Sequence, residues 1–379
     1  MIYLDYSATT PINEEVLQTY VQISRKFWGN PSSLHAFGVQ ANALFEKAKE
    51  QALAVLEATT HRIYFTSGAT EANNLAIRGI CYQYKNRGKH LITSKVEHSS
   101  VYEAFKALEV EGFEVTYLDV DEKGMIDVSE LEKAVRKDTV LVSLMMVNAE
   151  VGTIYPIKEM SEIIKRMNPN TFFHSDIVQA VGKIPVSIDD LGLDLASIAG
   201  HKIYGPKGVG ALVVKNKVTL HPILFGGDQQ DELRPGTIDL ASIVSFSKAL
   251  RLATENVLEH SEKVSTLSDY IYKELKELPY LTFNSDPVYS IPHVINFSIR
   301  GVKSETVVHA LAHEGIFISS QSACSSKSNK PSRVLQAMGC DDDRASSSLR
   351  VSLSHLTTKE DVQTFIKVFK KIMSEVLVK

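Results

Sequence analysis

The sequence predicts an α/β protein in which a mainly parallel sheet lies between helices, followed by a smaller α+β region. Three observations carry this. Apolar strand-like runs alternate with helical stripes through the first two thirds of the chain. Helical segments lie between most of the strand candidates, as where helices cover both faces of a sheet. The alternation gives way beyond Thr237 to long helical periodicity.

Taken in order, Leu44, Ala48, Ala52, Val55 and Leu56 form a helical stripe. The run 62–65 then reads as a strand closed by Thr66-Ser67-Gly68, and 71–78 as a helix. Further strands are predicted at 90–95, 113–120, 139–147, 171–178, 193–198 and 209–215, with helices at 99–111, 128–136 and 157–167 between them. The stretch 238–278 reads as helix broken near 259–261, leading to strands at 293–299 and 348–352 and helices at 305–313 and 359–376.

Bulk properties exclude several classes. At 44% hydrophobic and 23% charged, the chain is unlike disordered sequence. A net charge of -4 gives no electrostatic case for direct nucleic-acid or membrane binding. The start, MIYLDYSATTP, lacks the basic-then-apolar order of a signal peptide, and no apolar run is long enough to span a bilayer. Cys81, Cys324 and Cys340 form no close-spaced pair, which suits a reducing compartment, so a cytoplasmic protein is expected. No metal site is expected: His309 and His313 have i, i+4 spacing on a predicted helix, but no HExxH pattern or cysteine pair accompanies them.

In such sheets, ligands gather where loops leave the strand carboxyl ends. Ser67-Gly68-Ala69-Thr70-Glu71 joins a strand to a helix with small residues, so backbone N–H groups at a helix N-terminus could meet an anion; the same residues also suit an ordinary capped turn. Asp176 lies in an apolar strand, where a carboxylate needs a partner, either a protein cation or a cofactor nitrogen. Gln179 follows at the same sheet edge. Lys202 comes directly after an apolar strand, among small residues and beside His201; desolvation favours its neutral, nucleophilic amine, as Schiff-base chemistry requires. Each feature alone has an ordinary structural explanation. Together they supply a phosphate cradle, an acid and an amine, which are the needs of pyridoxal 5'-phosphate (PLP). Cys324 sits in a polar, small-residue stretch, 319–328, outside any apolar pattern, which favours a reactive thiol over a packed one; Cys81 and Cys340 read as structural.

The ordered motifs YLDYSATTP, WGNPSSLHAFG, FTSGATEANNLAIRG, TSKVEH, HSDIVQAVGK, GHKIYGPKGVGAL, RPGT, SSQSACSS and SLRVSLS run through nearly the whole chain. With them the sequence resembles the NifS/IscS-like cysteine desulfurases, class V PLP-dependent enzymes of fold-type I. The resemblance implies a large PLP-binding domain over 15–255 and a small domain made of 1–14 and 256–379. It implies that Lys202 carries the cofactor, Asp176 pairs with the pyridine nitrogen, Gln179 donates to the phenolic oxygen, and His98 stacks on the ring and moves protons. Ala69, Thr70 and His201 would hold the phosphate, with Thr237 reaching in from the neighbouring subunit of a homodimer. Asn148 and Arg350 would fix the substrate carboxylate, a role that suits a guanidinium fork. Cys324 would take the sulfur of L-cysteine as a persulfide, leaving L-alanine, and pass it to an acceptor protein for iron–sulfur cluster, thio-tRNA or thiamine synthesis.

The chain departs from the family pattern in places. Ala199 stands where many relatives have a phosphate-binding Ser, and the usual Asn-Asn-Glu reads Asn148-Ala149-Glu150. The glycine-rich segment reads Gly226-Gly227-Asp228-Gln229-Gln230, and Arg350 is followed by Ser352-Leu353-Ser354-His355 in place of Ser-Leu-Gly-Arg. Two rival readings therefore stand beside the desulfurase: another class V enzyme such as an aminotransferase, which would not need Cys324, and a PLP-fold scaffold with reduced activity.

Overall fold

The structure, a computed structural model, describes residues 1–320 and 331–377. Its strands are β1 (Ile2–Tyr3), β2 (His61–Thr66), β3 (His90–Ser94), β4 (Glu114–Leu118), β5 (Thr139–Ser143), β6 (Phe172–Asp176), β7 (Leu195–Ala199), β8 (Gly210–Lys215), β9 (Leu281–Phe283), β10 (Val294–Ile299), β11 (Ile316–Phe317) and β12 (Ser348–Ser352). Seven of them form one sheet in the order β2-β8-β7-β6-β5-β3-β4. The run from β7 to β4 is parallel, and β8 is antiparallel to both its neighbours.

Both faces of this sheet carry apolar residues. Successive strand residues face opposite sides of a sheet, and here both sides are covered. Leu91, Leu141, Leu195 and Leu212 pack into the core that holds Ala72, Ala76 and Phe105, from the helices Ala69–Gln83 and Ser99–Val110. Their chain neighbours Ile92, Val142, Ala196 and Val213 join the opposite core, with Phe246 and Leu250 of the helix Leu240–Glu255. A one-residue slip in any of these strands would exchange the two faces.

A separate core gathers Leu4 with Val264, Phe297, Leu311, Val351 and Phe369. It packs the antiparallel sheet β12-β10-β9 against the helices Val257–Lys276, Ser304–His313 and Lys359–Val376, while β1 pairs in parallel with β11. The N-terminal residues thus join elements more than 250 positions later.

The long helical stretch breaks at Asn256 rather than near 259–261, because Asn256 leaves helical geometry at φ -124° and ψ 33°. Glu259, His260 and Ser261 contain no breaker, and the His260 N–H donates to the Asn256 carbonyl to start the next helix. Strands β1, β9 and β11 have two or three residues each, too few for periodicity to register. The helix Glu14–Lys26, capped by Asn13, was likewise unmarked: it buries only Val16 and Ile23. Among the described residues no helix is long and apolar enough to cross a membrane.

Candidate active site

β2, β6 and β7 all run into a cavity of about 470 Å³. Gly68, Thr70, His98, Asp176, Gln179, Ala199, His201, Lys202 and Arg350 line it, together with the N-terminal residues Ser7, Ala8 and Thr9. Beyond β2 the helix Ala69–Gln83 begins at Gly68, whose φ of +153° favours glycine. No side chain caps that helix, so its first-turn N–H groups stay available at the cavity wall. Glu71 accepts from the Ser67 N–H at 2.8 Å and from Arg234 Nε at 2.9 Å, tying the later Arg234-Pro235-Gly236 segment to this turn.

Asp176 is the last residue of β6 and is 7% exposed. Its Oδ1 accepts from the Val178 N–H at 3.0 Å and its Oδ2 from Asn73 Nδ2 at 2.9 Å. The same Asn73 nitrogen donates to Ser100 Oγ at 2.8 Å, and that oxygen lies 2.8 Å from His98 Nδ1. Nδ1 also accepts the Ser100 N–H at 3.2 Å, since His98 is the N-cap of the helix Ser99–Val110. With Nδ1 accepting, the proton of a neutral His98 ring resides on Nε2. Asn73 thus joins the acid and the imidazole in one network.

Lys202 ends the 3-10 turn Gly200–Lys202 after β7. Its Nζ donates to the Ala8 carbonyl at 2.7 Å and to the Ser7 carbonyl. Thr10 fixes that N-terminal segment by donating from both its N–H and its Oγ1 to the His201 carbonyl, each at 3.0 Å. Burial, with the charges of Lys202 and Lys207 adding to it, pushes the His201 ring down to about 4, so it is a neutral donor at neutral pH.

Arg350, central in β12, is 1% exposed. It donates to the Ala149 carbonyl at 2.9 Å and to Asp5 Oδ1 at 3.0 Å, while its Nε is buried with no partner among the described residues. Two predicted residues are not on the cavity wall. Asn148 is buried with its amide committed to backbone: Oδ1 accepts from Glu150 and Val151, and Nδ2 donates to Val96. Thr237 is exposed on its own chain. Cys324 lies outside the described residues. The flanking residues are anchored at the site: Ser319 pairs with Arg350 through both backbone groups, and Arg333 donates to the Lys95 and Glu97 carbonyls just before His98. Sequence reasoning missed Asn73, Ser100, Asp5 and Ser7; all four lie within or beside quoted motifs, but nothing local distinguishes them.

The sequence pattern of the family described as aminotransferase class-V matches residues 2–365. The chain belongs to that family. Among curated relatives, the cysteine desulfurase IscS of Dictyoglomus turgidum is 43% identical over 375 residues, covering 99% of this chain and 95% of the relative. The human cysteine desulfurase is 41% identical over 365 residues, covering 95% of this chain and 79% of its own. A solved NifS-like protein superposes with a TM-score of 0.92 at 35% identity, covering 98% of this chain and 99% of the other. Within the class V aminotransferases the chain therefore sits among the NifS/IscS-like cysteine desulfurases, PLP-dependent proteins of α/β fold.

The cavity's own chemistry fits that cofactor. Ser7 Oγ is buried with no partner among the described residues, and an uncapped helix start and a neutral His201 stand ready for a phosphate. Asp176 offers a carboxylate to a ring cation, and Lys202 offers the amine.

Proposed function

We propose that this cavity removes sulfur from L-cysteine, with Lys202, His98 and Cys324 as the catalytic residues. Its family's activity is PLP-dependent cysteine desulfuration. The observation that carries the assignment of residues is the convergence of Lys202, Asp176, Gln179, His98, His201 and Arg350 on one cavity.

When bound, PLP supplies a protonated ring that withdraws electrons from the substrate's α-carbon. Lys202 would hold it covalently, Asp176 would keep the ring nitrogen protonated, and Gln179 would donate to the phenolic oxygen. The Ala69–Thr70 turn and His201 would take the phosphate, joined by Thr237 of a second copy in a homodimer. Arg350 would bind the substrate carboxylate. His98, protonated on Nε2, would move protons at the substrate carbons. The Cys324 thiolate would attack the substrate sulfur; the electron pair of the Cβ–S bond stays on carbon, which takes a proton and becomes the methyl of alanine. The sulfur remains as a persulfide for a protein acceptor, in the cytoplasm, serving iron–sulfur cluster, thio-tRNA or thiamine synthesis. The anchoring of residues 319 and 333 beside Arg350 and His98 supports Cys324 as the nucleophile. The core around Leu4, Phe297 and Phe369 supports a division into 15–255 and a small domain of 1–14 with 256–379, whose Ile291, Val294, Val334, Leu335, Met338 and Ala345 pack into the large core.

The test is incubation with L-cysteine, with alanine quantified and the persulfide mapped by mass spectrometry. Alanine should form in step with a persulfide at Cys324, and Cys324→Ala should abolish both. Unchanged alanine release from Cys324→Ala would sink this reading in favour of a different class V reaction.

A further inference from the structure

Lys183 is a buried lysine to which the chemistry above gives no role. It lies in the turn after β6, and its ammonium donates to Oε1 of Gln179, four residues earlier. The charges acting on it are the cations Lys202 and Arg350; burial first, and those charges second, bring its pKa down to about 7. Holding an ammonium there is costly, and the amide beside it shows what the group does.

A glutamine amide has an oxygen that only accepts and a nitrogen that only donates, and a half-turn about its last bond exchanges them. The charged form of Lys183 is a donor alone, so in that form it can hold only the oxygen. On the other side of the amide, the Ser7 carbonyl is an acceptor alone and takes an N–H from Gln179 Nε2 at 3.1 Å. While Lys183 is charged, Gln179 is therefore held in one orientation, between a group that must donate and a carbonyl that must accept. Nε2 carries a second hydrogen, and Gln179 lines the cavity.

We propose that Lys183 is a positioning residue that sets the polarity of the Gln179 amide, so that an N–H and not the amide oxygen meets the cofactor's phenolic oxygen. This rests on the reading of Gln179 given under Proposed function. With the amide reversed, two oxygens would face each other and the cofactor would lose a hydrogen bond.

The test follows the visible absorbance of the holoenzyme as pH is varied, in wild type, Lys183→Met, Gln179→Ala and the double variant. A donor at the phenolic oxygen lowers the pH at which the bound chromophore gives up its proton, so losing the donor raises the midpoint. Lys183→Met should raise it by about one pH unit, a tenfold change in proton affinity. Gln179→Ala should do the same, and the double variant should shift no further than Gln179→Ala alone, because Lys183 then has nothing to act through. Lys183→Arg, again a donor alone, should keep the wild-type midpoint. Lys183→Gln can donate or accept, should shift as Lys183→Met does, and carries the test if circular dichroism shows that the Met variant fails to fold. An unmoved midpoint in the uncharged variants, or additive shifts in the double variant, overturns the proposal. Absence of the absorbance band in wild type would instead refute the assignment of the cofactor site itself.

Discussion

Asn73 Nδ2 lies 2.9 Å from Asp176 Oδ2, although the two residues are 103 positions apart. Asn73 is fully buried in the helix Ala69–Gln83, and its other contact, Ser100 Oγ, leads to His98. Removing the amide leaves a buried carboxylate short of one donor, and a hydrogen bond to a charged group contributes about 1.5–3 kcal/mol. Asn73→Ala is therefore expected to lose about 2 kcal/mol of unfolding free energy in urea, a loss outside the ordinary range for exposed helix positions. A urea midpoint equal to wild type would show that Asp176 finds another donor.

Arg350 and Asp5 form a mostly buried pair at 3.0 Å, with side chains 1% and 17% exposed. Breaking one partner of such a pair strands the other charge. Asp5→Asn keeps the shape and removes the charge, and should cost about 3 kcal/mol in urea unfolding. If Arg350 takes the substrate carboxylate, the same variant should not raise KM for cysteine, because Asp5 competes for that guanidinium. A raised KM would argue against this competition.

His174 is fully buried between Ser143 Oγ at 2.8 Å and Ser197 Oγ at 2.9 Å, and burial pushes its ring down from 6.5 to about 3. Below pH 6.5 the unfolded chain takes a proton that the native chain refuses. Stability should therefore fall as pH is lowered through the window from 6.5 to 3, by up to about 1.4 kcal/mol per pH unit for this group. Urea unfolding at pH 7 and pH 5 measures it, and His174→Gln should narrow the difference between the two. An undiminished difference would assign the acid sensitivity elsewhere, His293 being the other ring that burial lowers to about 3.

Ala199 lines the cavity at the end of β7, and Ser197, two residues earlier, has its hydroxyl committed to His174. No hydroxyl therefore reaches the cofactor from this strand end. Ala199→Ser should tighten PLP binding by roughly tenfold, the equivalent of about 1.4 kcal/mol from one hydrogen bond to a charged group. Equilibrium dialysis of the cofactor against both proteins checks it; equal dissociation constants would mean that the added hydroxyl does not reach the phosphate.

Much of the site was legible because it is local. Ser67 to Glu71, Asp176 and Lys202 each close an apolar run, and in a covered parallel sheet the ends of such runs face one edge. Asn73 and Ser100 were not legible: a polar residue on a helix reads as solvent-facing until the sheet beneath it is known. Asn148 was named only through the family resemblance, and its amide serves backbone groups that the folded turn brings to it.

The sequence by itself determined the α/β class, the strand ends that hold Asp176 and Lys202, and the family, because periodicity, turn residues and ordered motifs are written along the chain. The tertiary structure decided what surrounds those residues. Ser7 and Ala8 meet Lys202 across more than 190 positions, and Asp5 meets Arg350 across 345. The long-range contacts follow from which buried surfaces pack together and which polar groups must then find partners, and neither is encoded in any local stretch of residues.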